Sequence, residues 1–110
     1  MELERYHKMQ EELDAFILKN NKCTLSKREL LTDTLLALSV EVAELANATR
    51  CFKHWSMKES ESRERLLDEY ADIMHFQFSI GNQLGFTPQE IEAAYINKYK
   101  ENVRRQNTGY

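Results

Sequence analysis

Apolar positions recur at helical spacing in four stretches of the chain, separated by short polar segments. Leu13, Phe16 and Ile17 stand at i, i+3 and i+4, with Met9 one turn earlier, which predicts a helix over residues 3–20. Asn20-Asn21 ends it, and residues 22–28 read as a polar connection. A second stripe, Leu35, Leu38, Val42 and Leu45, predicts a helix capped near Thr32 or Asp33 and running to about Cys51. Residues 53–62 form a loop rich in charge and Ser. Leu66, Ile73, Phe76 and Ile80 carry a third helix to Gly81 or Leu84, with Gly85 suited to the position beyond its end. Thr87-Pro88 supplies an N-cap followed by Pro at the first helical position, opening a fourth helix that reaches Asn107. The expectation is an all-α, four-helix bundle forming a single domain over residues 1–110, with the stripes turned inward. The core of so small a domain is modest, so burial across a homodimer interface would add to it.

Composition narrows the class. Three Gly and one Pro in 110 residues are too few for the many turns of a sandwich or barrel. At 42% apolar and 30% charged, the chain is too apolar for a disordered one. A net charge of −3 argues against general nucleic-acid binding, where a basic surface supplies most of the affinity. No apolar run approaches ~18 residues, so no membrane span is expected. Cys23 and Cys51 form no CxxC pair, and the charged start Met1-Glu2-Leu3-Glu4-Arg5 lacks the apolar segment of a signal peptide; both point to a cytoplasmic setting.

Four acidic residues interrupt the apolar pattern. Glu41 and Glu44 lie three apart on the second helix, with Glu41 between Leu38 and Leu45 on one stripe. After 24 intervening residues, Glu69 and Asp72 repeat the spacing on the third helix, flanked by Leu66, Ile73 and Phe76. Carboxylates within an apolar stripe are expensive to bury unless a cation compensates them. Two facing helices would bring four together, and an all-oxygen set without Cys suits Mg²⁺ or Mn²⁺. That chemistry is metal-assisted cleavage of a phosphoanhydride. Solvated helix faces carry such pairs too. A di-iron bundle is disfavoured, since it wants Glu-x-x-His twice and the chain offers only Asp72-x-x-His75. On the fourth helix Lys98, Asn102 and Arg105 share one face at i, i+4 and i+7, able to hold phosphate oxygens; a solvated C-terminal turn has the same composition.

Glu41-Val42-Ala43-Glu44 followed by Glu69-Tyr70-Ala71-Asp72 resembles the signature of the all-α nucleoside triphosphate pyrophosphohydrolases, the MazG-like superfamily. Within it the chain resembles the dimeric all-α dUTPases through three further segments. These are Phe52-Lys53-His54-Trp55, Asp72-Ile73-Met74-His75-Phe76, and Tyr95-Ile96-x-Lys98-x-x-x-Asn102-x-x-Arg105-Gln106-Asn107-x-Gly109-Tyr110. The resemblance implies Mg²⁺-dependent hydrolysis of dUTP to dUMP and pyrophosphate, with nucleotide-pool sanitation as its use. Glu41, Glu44, Glu69 and Asp72 would hold the metal, and Glu41 and Glu44 would be catalytic, Glu41 orienting or deprotonating the attacking water. Lys53, Lys98, Asn102 and Arg105 would bind phosphates. Gln10, Asp14 and Trp55 would meet the base. The implied assembly is a homodimer or a higher homo-oligomer. Members of the family often carry Asn where this chain has Asp14, so the alternatives are a relative acting on dCTP or a modified nucleoside triphosphate, or a non-catalytic helical dimer. Among the rest, His75 is expected to be a supporting or core histidine, His7 to lie on the surface, the cysteines to be structural thiols and the methionines to fill the core.

Overall fold

The computed structural model describes residues 2–109; Tyr110, the last residue of the terminal motif, lies outside the described residues. Four helices follow one another, α1 Glu2–Asn20, α2 Lys27–Thr49, α3 Arg63–Gln83 and α4 Pro88–Asn107, with no strand among the described residues. The all-α expectation holds. The start of α2 does not: its cap is Ser26, six residues before Thr32. Ser26 and Glu29 form a capping box, each side chain bonding the other residue's backbone N–H. Ser26 lay inside the stretch 22–28 read as a polar connection, and Glu29 is the residue just after it. Thr32 instead sits in the first turns and donates to the Arg28 carbonyl. Thr87 and Glu90 build the same box at α4, followed by Pro88.

Helix α3 is the centre. It packs along α2 and against α1, whereas α4 meets α1 and reaches α3 through Ile91 at Gly81. The crossing of α1 over α3 depends on Gly81. A methyl group there would stand 3.3 Å from the His7 ring and 3.6 Å from Ile91, so the bare backbone admits the imidazole. His7, expected at the surface, is therefore buried at 5% exposure, bonded through Nδ1 to Asn82 Oδ1 at 2.7 Å and edge-on to Phe78.

The stripes do not close into a core within one chain. Among the described residues Ala48 is the one buried apolar side chain. Met9 and Met57 are exposed rather than core filler, and both cysteines are exposed. The radius of gyration is 17.3 Å, against about 13 Å for a compact domain of this length.

Candidate active site

Glu41 comes from the middle of α2, and Glu69 and Asp72 from the first half of α3. The antiparallel packing of these helices brings one oxygen of each within 4.8 Å of the others. Glu69 is 4% exposed, Glu41 and Asp72 are half-buried, and Glu44 is at the exposed rim. Arg65, one turn before Glu69, meets its Oε1 at 2.9 Å. The second oxygens of Glu41 and Glu69 are buried without a hydrogen-bond partner. Burial raises the Glu41 carboxyl above its ordinary 4.5, and the neighbouring carboxyls of Glu44, Asp72 and Glu69 add to the shift. Burial raises Glu69 as well; Arg65 opposes this, and Glu44 and Asp72 reinforce it. Two orphaned anionic oxygens beside a third carboxylate form a hard, all-oxygen donor set, which fits a divalent cation such as Mg²⁺ or Mn²⁺.

A cavity of about 360 Å³ opens beside this cluster, lined by Glu44, Glu69, Lys53, Arg50, Lys58 and Arg65 among others. Lys53, from the Phe52-Lys53-His54-Trp55 segment, therefore adjoins the carboxylates. Arg50, Lys58 and Arg65 are cations that sequence reading missed. Arg65 was legible as the i−4 partner of Glu69. Arg50 was not, because it depends on the left-handed turn at φ 59° that ends α2 and on its bonds to Ser56 Oγ and the Lys58 carbonyl.

The other predicted residues occupy two further places. Gln10 and Asp14 lie on α1 at its crossing with α3. Gln10 is buried, donates to Asp14 Oδ1 at 2.8 Å, and meets His75 Nδ1 through Oε1 at 2.6 Å. His75 lies outside the carboxylate group, three positions after Asp72. Lys98 and Asn102 line a separate cavity of about 410 Å³ with Tyr95 and Tyr99, all on α4. Arg105 is paired with Glu101 at 3.2 Å. Within one chain α4 reaches α3 only near its start, at Ile91, so these groups stand apart from the carboxylates. Trp55 is 66% exposed in the loop after α2, edge-on to Phe52 and His54.

The structure thus sets acidic residues of α2 and α3 face to face, with cations lining the adjoining cavity and a polar group at the α1–α3 crossing. A model of the dUTPase family matches residues 2–86 and 78–110. The chain belongs to the dUTPase family. It is a dUTP diphosphatase, a hydrolase releasing pyrophosphate from dUTP. No curated protein matches the sequence significantly. The family's dependence on a divalent metal agrees with the donor set of Glu41, Glu69 and Asp72 in this dUTPase. No helix is long and apolar enough to cross a membrane among the described residues.

Proposed function

We propose that this dUTPase cleaves dUTP at a Mg²⁺ or Mn²⁺ centre held by Glu41, Glu44, Glu69 and Asp72, in a homo-oligomer whose sites combine two chains. The observation that carries the metal reading is the pair of buried, partnerless oxygens on Glu41 and Glu69, both carboxyls pushed up by burial and by like charge. A bound divalent ion would neutralise this charge, polarise phosphate oxygens and lower the pKa of a water. Glu41, the half-buried member with the raised pKa, is suited to accept a proton from the attacking water at its free Oε2. Lys53 and Arg65 at the rim of the cavity would hold non-bridging phosphate oxygens and offset charge on the leaving pyrophosphate. The function is nucleotide-pool sanitation in the cytoplasm, where dUTP competes with thymidine nucleotides.

The assembly follows from α4. Lys98, Asn102 and Arg105 share a face there, yet nothing in the same chain carries them to the carboxylate cluster. The α4 surface also exposes Tyr95 at 75% and Tyr99 at 63%, a level of apolar exposure expected of an interface rather than of a free helix. A second copy is the occupant that fits: its carboxylate cluster of Glu41, Glu69 and Asp72 complements the basic end of α4, and its exposed Leu36 and Val40 offer apolar surface to cover. We therefore assign the phosphate contacts of α4 to the neighbouring protomer's site.

Pyrophosphate release from a panel of dNTPs and NTPs with Mg²⁺ tests the activity. Rapid turnover of dUTP, abolished in Glu41→Gln, is expected; turnover centred on dCTP would keep the metal centre and change the base. Subunit mixing tests the assembly. Glu41→Gln and Arg105→Ala should each be inactive alone. Their mixture should regain activity, because one site then joins intact carboxylates to an intact α4. A mixture as inactive as its components would place α4 in its own chain's site.

A further inference from the structure

The C-cap of α2 is Arg50, at φ 59° and ψ 17°, the left-handed position that Gly or Asn ordinarily takes at a helix end. A residue with a Cβ is strained there. Its side chain turns forward over the segment that follows: Nη2 donates to Ser56 Oγ at 3.0 Å, and Nε donates to the Lys58 carbonyl at 3.2 Å. These two nitrogens share one edge of the planar fork, so a single guanidinium edge grips two acceptors. Ser56 Oγ also accepts the Lys58 N–H at 3.2 Å, which closes the ring of bonds.

Apolar burial does not hold this segment, since Phe52 is 51%, Trp55 66% and Met57 100% exposed. Backbone bonds carry it from Arg50 to Lys53 and from Lys53 to Ser56, at 3.0 and 3.1 Å. The chain rejoins α2 where the Glu61 N–H meets the Ala48 carbonyl. Between those points the Arg50 side chain is the tie across the loop. Lys53 lies inside the loop so tied, and it lines the 360 Å³ cavity together with Arg50, Lys58, Glu44 and Glu69.

We propose that Arg50 is a positioning residue for the hydrolysis: its grip on Ser56 and Lys58 folds residues 50–58 back on the end of α2 and so holds Lys53 at the cavity, where Lys53 meets substrate phosphate. Arg50 acts through Lys53 and not by its own charge. Lysine has no fork, so Arg50→Lys keeps the charge on this wall and removes the clasp. The inference rests on this cavity being the phosphate end of the site, although the clasp itself does not depend on that reading.

Kinetics and fluorescence on the full chain test it. Arg50→Lys should lower kcat/KM for dUTP about tenfold, and Ser56→Ala, which removes one of the two acceptors, about threefold. In a Lys53→Ala background Arg50→Lys should cost about twofold at most, because the residue through which Arg50 acts is already gone. Full activity in Arg50→Lys, or an undiminished tenfold loss in the Lys53→Ala background, overturns the proposal. Trp55 is the one Trp of the chain and lies inside the clasped loop, so its time-resolved anisotropy reads loop motion on the nanosecond scale without turnover. Arg50→Lys and Ser56→Ala should each add a fast depolarising component that Lys53→Ala lacks. Decays identical to wild type in both variants refute the clasp, whatever the kinetics. Loss of all hydrolysis by the wild type would instead strike the metal-centre reading, and the anisotropy would still decide the clasp.

Discussion

At the scale of single residues, Glu41 and Glu69 destabilise the metal-free chain. A carboxyl raised above its unfolded 4.5 binds protons more tightly in the folded state, so its contribution to stability is best below that pH and is lost as pH rises through the folded pKa. A divalent ion acts in the opposite sense, because it binds the deprotonated, folded form. Thermal melts with and without millimolar Mg²⁺ should therefore show a larger upward shift at pH 8 than at pH 5. Glu41→Gln should raise the metal-free Tm by a few degrees and largely remove the Mg²⁺ response. A Tm indifferent to Mg²⁺ at both pH values would count against the metal centre. Arg65 tempers the charge on one side only, since its contact is with Glu69.

Among elements, α4 is held by its N-terminal end and its caps more than by packing along its length. Ile91 reaches Gly81, Gln89 donates to Glu4, and the capping box at Thr87 satisfies the first turn. Bonding of its carboxylate to the Thr87 backbone lowers the Glu90 pKa, so this cap adds stability above 4.5 and loses it as pH falls. Thr87→Ala should cost about 1 kcal/mol, read as faster amide exchange along α4 with α2 and α3 unchanged. Gly85, at φ +75°, turns the chain between α3 and α4. Gly85→Ala should cost about 1 kcal/mol because a Cβ is strained in that region, although nothing crowds the site. A melting temperature equal to that of the parent would remove this reading of the turn.

For the whole molecule, the extents of 44 × 40 × 26 Å and the thin core leave one chain short of the burial that a stable domain needs. Stability should accordingly depend on protein concentration. Light scattering should give a mass of two or more chains, and dilution should lower Tm. Tyr95→Glu combined with Tyr99→Glu should shift the protein toward monomer and abolish turnover together. A stable, active monomer would overturn both the assembly and the shared site.

The sequence by itself determined the four helices, because stripe spacing and caps are local, and it marked Glu41, Glu44, Glu69 and Asp72, because charge within an apolar stripe is conspicuous. It hid the Ser26 cap inside a polar stretch, where capping residues and loop residues have the same composition. Only tertiary structure buried His7 against Gly81, since that depends on two residues far apart in sequence meeting where one lacks a side chain. The same holds for the chain from Asp14 through Gln10 to His75. The i, i+4 spacing of Gln10 and Asp14 was visible, but the contact with His75, 65 positions further on, is made only when α1 meets α3. Distance between α4 and the carboxylates was likewise undecided by motif order, because order along the chain does not determine which helices touch.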